Sequence, residues 1–398
     1  MDEKKRFWRG ALCGALAMFL IMAVVVAAAF GMGKNRARNT EVVNGDTQQK
    51  IEKINGIIGE SFLYEDEIDG EKMAEGLVSG YVAALEDPYS VYYDEDATNE
   101  LLETTEGEYS GIGAVLSQNI DTKVITLVNI YKDSPAEEAG LKDNDILYKV
   151  NGEDISGQEV SEVVTKIKGE EGTDVEITVL RSEQQEEVTV TATRRKIEVE
   201  TVTWEMKEGN IGYIKVSEFD KVTYDQYQTA LNELEAQGME GLIVDLRSNP
   251  GGNLSTVCEM LDLMLPEGTV VYTEDKNGER QTAVSDEEHQ FNKPMVVLVN
   301  QYSASASEIY AGAIQDYGLG KIVGMTTYGK GVVQQIFDLG DGTCVKLTIS
   351  EYFTPSGRSI HGTGIIPDVE VEYEADEENE SADNQLDKAL EVMKDDIK

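Results

Sequence analysis

The chain has 398 residues, 40% of them apolar, and carries 76 acidic against 34 basic side chains, for a formal charge of -42 at neutral pH. Its length allows two or three domains with sizeable cores, at roughly 100 to 200 residues each, and its charge excludes nucleic acid and anionic lipid surfaces as partners, since both would repel it. His289 and His361 are the whole supply of imidazoles, and Cys13, Cys258 and Cys344 show neither a disulfide framework nor zinc-ligand spacing, so no metal or cofactor is expected.

Residues 1–9 read as a short cytoplasmic tail. Residues 10–33, GALCGALAMFLIMAVVVAAAFGMG, carry no charge and exceed the roughly 20 apolar residues that a bilayer core demands, which predicts a transmembrane anchor. A cleaved signal peptide is the rival reading, although its apolar region is ordinarily shorter, at about 7 to 15 residues. Basic residues flank the run almost evenly, so orientation rests on size: a tiny tail inside and a large acidic body outside the cytoplasm, because long domains cross largely regardless of charge. After a linker at 34–47, residues 48–105 show apolar positions at helical spacing, among them Ile51, Ile54, Ile57 and Ile58.

Between 106 and 195 the pattern changes to short alternating runs, KVITLVNI, DILYKVNG and VEITVLRS, with one helix around SGQEVSEVVTKIKG. YSGIGAVL sets Gly111 and Gly113 around Ile112 just before a strand. Such a turn is either an ordinary glycine bulge entering a strand or a loop whose exposed backbone N–H groups hold a carboxylate while the strand pairs with an added peptide. From 196 to 372 the strands GYIKVSEF, GLIVDLR, MVVLVN and KIVGMT alternate with helices YDQYQTALNELEAQG, LSTVCEMLDLML and SEIYAGAIQDYG, the pattern of an α/β domain with a partly parallel sheet. Residues 373–398 combine an acidic linker with a terminal helix, NQLDKALEVMK.

Four pieces of the α/β region carry candidate chemistry. NQYSASASEIYAGA runs from a strand into a helix, and Ser305 followed by Glu308 has capping-box spacing, so on local rules Ser305 starts a helix. A catalytic serine needs a base, and Lys330, framed by Gly329 and Gly331, can serve once burial lowers its pKa. Gln334, four residues further on, is able to position that amine without adding charge. The same stretch nearly spells a phosphate-binding loop, yet Gly331 stands where the hydroxyl residue belongs and a strand pattern follows, which excludes a nucleotide site. The turn DLRSNPGG, Asp245 to Gly252, offers N–H groups at Gly251 and Gly252 which, with that of Ala306, suit an oxyanion.

DSPAEEAGLKDNDILYKVNGEDI at 133–155 resembles a bacterial-type PDZ domain, which implies a groove for an extended C-terminal peptide and makes Gly111, Ile112 and Gly113 its carboxylate loop. The ordered set DLRSNPGG, SASASE, GKGVVQ and YFTPSG, behind a PDZ domain, closely resembles the C-terminal processing peptidases, or tail-specific proteases, over residues 50–372. That resemblance implies Ser305 as nucleophile, Lys330 as general base and Gln334 as the residue orienting the lysine. It also implies an α/β core of the kind shared by Clp protease and crotonase, with an inserted-type PDZ domain, and protein substrates with accessible C-terminal tails. Lys168 stands where relatives commonly have Arg, and Tyr89 where they often have His. The helices at 48–85 and 384–396 are candidate homodimer contacts, as in some relatives. A catalytically silent PDZ receptor for extracytoplasmic tails is the alternative function.

Overall fold

The structure, a computed structural model, describes residues 42–397 except 182–185, 287, 376–378 and 380–381. The expected anchor at 10–33 lies outside the described residues, and no helix among them is long and apolar enough to cross a membrane. Of the described residues, those up to Gly76 belong to one compact unit and those from Leu77 onward to another. In the first, α1 (Gly45–Ser61) starts at Asn44, whose side chain accepts from the N–H groups of Asp46 and Thr47. It buries none of its residues, and Ile51, Ile54 and Ile57 are exposed. Helix α2 (Gly70–Ala83) follows.

Strand β1 (Val91–Tyr93) leads into α3 (Glu95–Glu106), which Asp94 caps and Gly107 ends in the left-handed conformation. The region that resembles a PDZ domain follows as β2 (Glu108–Gly111), β3 (Ala114–Gln118), β4 (Ile125–Ile130), α4 (Pro135–Glu138), β5 (Ile146–Val150), β6 (Glu153–Asp154), α5 (Val160–Ile167), β7 (Asp174–Arg181), β8 (Glu186–Thr193) and β9 (Arg195–Glu198). Its main sheet runs β3-β4-β5-β7-β8, with β6 on β5, while β2 and β9 pair as entry and exit strands. Alternation sends Val175, Ile177 and Val179 of β7 into a core shared with Leu127, Leu147, Val163 and Ile167.

The remainder comprises β10 (Val202–Lys207), β11 (Ile211–Val216), α6 (Thr223–Ala236), β12 (Gly241–Asp245), α7 (Leu254–Asp262), β13 (Gly268–Asp275), β14 (Arg280–Ser285), β15 (Met295–Val299), α8 (Ala306–Tyr317), β16 (Gly320–Gly324), β17 (Val332–Asp338), β18 (Cys344–Phe353), β19 (Val369–Glu370) and α9 (Asn384–Asp396). One sheet has the order β10-β11-β12-β15-β16-β19, parallel except for β10. Every residue of β12 and β15 is buried, because helices cover both faces. Leu242, Val244, Val297 and Val299 face the core under α6, α7 and α8, whereas Ile243, Val296 and Leu298 meet Ala389 and Met393 of α9. The terminal helix thus spends its apolar face on this sheet rather than leaving it free for a second copy. Arg247 fastens it, donating to Asp245 at 2.6 Å and to Asp383, the N-cap of α9, at 2.7 Å.

A second sheet, antiparallel and ordered β1-β18-β13-β14 with β17 on β18, was not legible as a sheet in the sequence. It carries β17 to the rim of the cleft described next.

Candidate active site

Ser305 sits where the loop after β15 turns into α8. Its backbone has φ 55° and ψ -114°, a conformation that non-glycine residues adopt only when their surroundings impose it. Those surroundings are the neighbouring serines. The Ser303 hydroxyl donates to the Leu246 carbonyl at 2.7 Å and the Ser307 hydroxyl to that of Asn249 at 3.0 Å, both fully buried. Ser303 and Ser307 therefore staple the elbow to the DLRSNPGG turn, and Ser305 between them keeps access to solvent.

The turn is built around Asn249, which is fully buried. Its amide donates to the Val216 carbonyl at 2.9 Å, and its Oδ1 accepts from the Gly251 N–H at 2.8 Å. Gly251 has φ 106°, and a Cβ there would lie 2.7 Å from both the Ala304 carbonyl and the Ser305 Cβ, and 3.0 Å from the Ala306 nitrogen. Only glycine brings the turn this close to the serine. The Gly251 N–H, expected to face an oxyanion, is instead engaged by Asn249. Among the described residues no hydrogen bond uses the N–H of Gly252 or Ala306.

Glu308 joins the serine elbow to the lysine loop. Fully buried, it accepts from the Ser305 N–H at 2.9 Å, the Lys330 N–H at 2.9 Å, the Gly329 N–H at 2.8 Å and the Thr327 hydroxyl at 2.5 Å. The Tyr352 hydroxyl works from the carbonyl side, sharing its hydrogen between Ser305 O at 3.0 Å and Lys330 O at 2.5 Å. Capping-box spacing pointed to Glu308 as a helix-start residue, and nothing in its local sequence announced the second loop. Tyr352 was visible only as part of YFTPSG. The glycines beside Lys330 admit the 361–364 backbone: a Cβ at Gly331 would lie 2.6 Å from the His361 nitrogen, and one at Gly329 3.1 Å from that of Gly364.

Burial holds the Lys330 amine below the ordinary lysine range, and Lys346 pushes the same way, against the opposing pull of Glu308 and Asp87. Its Nζ lies 4.9 Å from the centre of the Tyr89 ring. No hydrogen bond or ion pair reaches that Nζ among the described residues. Gln334 does not orient it here; the Gln334 amide donates to the Thr348 hydroxyl at 3.2 Å. Ser305, Ala306, Gly251, Gly252, Lys330 and Gln334 nonetheless line one cleft of about 510 Å³.

In the PDZ domain, Gly111, Ile112 and Gly113 border a groove of about 130 Å³ between β3 and α5, together with Leu116, Ile167 and Lys168. The Ile112 and Gly113 carbonyls are occupied by the N–H groups of Ala136 and Tyr131, whereas their own N–H groups make no described hydrogen bond. Lys168 is paired with Glu103 of α3 at 2.6 Å.

Comparison with known proteins bears directly on this arrangement. Residues 210–371 match the model of peptidase family S41, 126–181 that of the PDZ domain, and 11–97 that of the activating protease CtpB N-terminal domain. The carboxy-terminal processing protease CtpB of Bacillus subtilis (strain 168) is 37% identical over 81% of this chain and 67% of its own length. A CtpA-like serine protease of Staphylococcus aureus (strain COL) is 34% identical over 89% of this chain and 70% of its own. This chain belongs to the C-terminal processing peptidases of family S41. It is a serine-type peptidase with a PDZ domain. The solved structure of an S41 protease from Bacteroides fragilis NCTC 9343 shares the fold, with a TM-score of 0.52 at 18% identity over 86% of this chain and 97% of that one.

Proposed function

We propose that this C-terminal processing peptidase cleaves with a Ser305–Lys330 dyad. Neutral Lys330 takes the Ser305 proton as Oγ attacks the scissile carbonyl, and returns it to the leaving amine as the acyl-enzyme forms; water then repeats the sequence to release the acid. The Gly252 and Ala306 N–H groups receive the oxyanion, with the Gly251 N–H serving indirectly by fixing the turn through Asn249. Gln334 is the residue that orients the amine in the substrate complex, since it lines the same cleft and exchanges one hydroxyl partner to do so. The observation that carries this reading is the double tie between the two loops, with Glu308 accepting both N–H groups and Tyr352 donating to both carbonyls.

In the same proposal the PDZ groove takes the substrate's C-terminal carboxylate on the Ile112 and Gly113 N–H groups, residues 10–33 anchor the chain with its catalytic body outside the cytoplasm, and the core has the Clp protease and crotonase fold. The exposed apolar side chains of α1 are its contact with a second copy, which light scattering that returns only monomer would rule out. Ser305→Ala and Lys330→Ala each abolish cleavage of a tailed protein substrate while leaving tail binding intact. Cleavage that survives either substitution removes the dyad.

A further inference from the structure

One wall of the cleft has no part in this chemistry. Phe219 bridges to Gly252 in parallel; its N–H donates to the Gly251 carbonyl at 3.0 Å and its carbonyl accepts from the Asn253 N–H at 2.6 Å. Residues 218–220 therefore run alongside the glycine turn next to Ser305. Glu218 and Asp220, two apart on this extended stretch, both line the cleft.

Asp220 is only 5% exposed, and among the described residues no hydrogen bond or ion pair reaches its carboxylate or that of Glu218. Its own N–H is bonded to the Thr223 hydroxyl at 2.9 Å, and adjacent Lys221 is turned away to Glu106. Burial, with Glu218 adding to it, pushes the Asp220 carboxyl up to about 7, and burial raises Glu218 as well. A mostly buried carboxylate whose oxygens meet the cleft and no protein donor is stabilised by a cation that arrives to pair with it. Lys330 and Lys346 also line this cleft, yet neither is paired with these acids.

We propose that Glu218 and Asp220 form an acidic subsite of the substrate cleft that takes a lysine or arginine side chain of the bound polypeptide. The inference rests on the reading that the Ser305–Lys330 cleft holds the substrate. Leu101 and Leu254 line the same space and give the aliphatic stem of such a side chain an apolar path, while its charged end meets the two carboxylates. An uncharged side chain of equal length would fill the path and leave the acids unpaired, which is the condition for strong discrimination.

The test uses the full chain at pH 8, where Asp220 is ionised, and pairs of peptides identical except for lysine against norleucine, scanned over the positions on either side of the scissile bond. At one position the wild type prefers lysine by about 10- to 100-fold in kcat/KM, and the Glu218→Gln/Asp220→Asn variant brings that ratio to within about threefold. Because the ratio is taken within each protein, activity lost equally on both peptides cancels. A wild-type ratio near unity at every position, or one that the double substitution leaves untouched, overturns the subsite. If no peptide is cut, the peptidase reading fails separately, and the subsite is judged by fluorescence anisotropy on the Ser305→Ala protein. Lysine peptides that bind at least about 10-fold tighter, with the preference lost when both acids are neutralised, support it; equal binding of the two peptides overturns it.

Discussion

Glu308→Gln is the most informative single change in the dyad region. The substitution keeps the shape and one acceptor oxygen, but places an NH2 group against two donors that Glu308 now satisfies. Two charge-assisted bonds lost from a fully buried site, at about 1.5–3 kcal/mol each, amount to about 3–6 kcal/mol. Part of that appears as a lower Tm. The rest appears as loosened geometry between the serine and lysine loops, and a share of about 2.7 kcal/mol lowers kcat about 100-fold. A second readout separates this from simple destabilisation. Glu308 now raises the Lys330 pKa, so removing its charge disfavours the ammonium and lowers that pKa further. In the proposed mechanism activity requires the neutral amine and rises with pH through that pKa, hence the acid limb of kcat/KM moves to lower pH in the variant. A variant with wild-type kcat, or with its acid limb moved to higher pH, refutes the role given to Glu308.

Three further outcomes are expected. In the wild type, the acid limb of the kcat/KM profile falls below the ordinary lysine value of about 10.4, because burial disfavours the charged amine; a limb at or above that value contradicts a buried base. Gly251→Ala drives a methyl group to 2.7 Å from the Ser305 Cβ at a backbone φ of 106° and lowers kcat by at least about 100-fold. A crystal structure of that variant with an undisturbed elbow, or kinetics equal to wild type, removes the argument. Asp383→Asn leaves Arg247 with Asp245 as its charged partner beside the Gln385 amide oxygen, weakens the start of α9 and costs about 1–3 kcal/mol in urea unfolding without changing KM for short peptides.

Much of this was legible beforehand, for identifiable reasons. The strands GLIVDLR and MVVLVN announced themselves because parallel strands covered on both faces are apolar at every position, and the helix after Ser305 because it begins with capping-box spacing and ends at Gly318. The second sheet was hidden since β18 pairs with β1 some 250 residues earlier in the sequence, at Val91 with Lys346, a register that no local periodicity encodes. For the site, glycine spacing and residue type offered Lys330 and the DLRSNPGG turn as candidates, whereas local rules made Ser305 a helix cap and only the family resemblance made it a nucleophile. They could not tell which turn N–H is free, because the Gly251 amide is claimed by the side chain of a residue two positions earlier. Nor could they reveal Asp220, a conventional surface residue type in SEFDKVT whose burial arises only when residues 218–220 lie beside the glycine turn.

The serine elbow shows how a helix cap and the proposed nucleophile can share one position. An ordinary N-cap serine adopts extended backbone angles and turns its hydroxyl inward to accept from the first helical N–H groups. Ser305 has a positive φ instead, yet both halves of the capping box are present, the Ser305 side chain toward the Glu308 N–H and the Glu308 carboxylate accepting the Ser305 N–H. The cost of the strained backbone is of order 1–3 kcal/mol. It is offset by the flanking hydroxyls of Ser303 and Ser307, each bonded to a carbonyl of the glycine turn, and by Tyr352 on the Ser305 carbonyl. The alternation in SASASE therefore has a physical division of labour. The outer two serines are buried and pin the elbow to the glycine turn, and the middle one keeps access to solvent at the helix N-terminus.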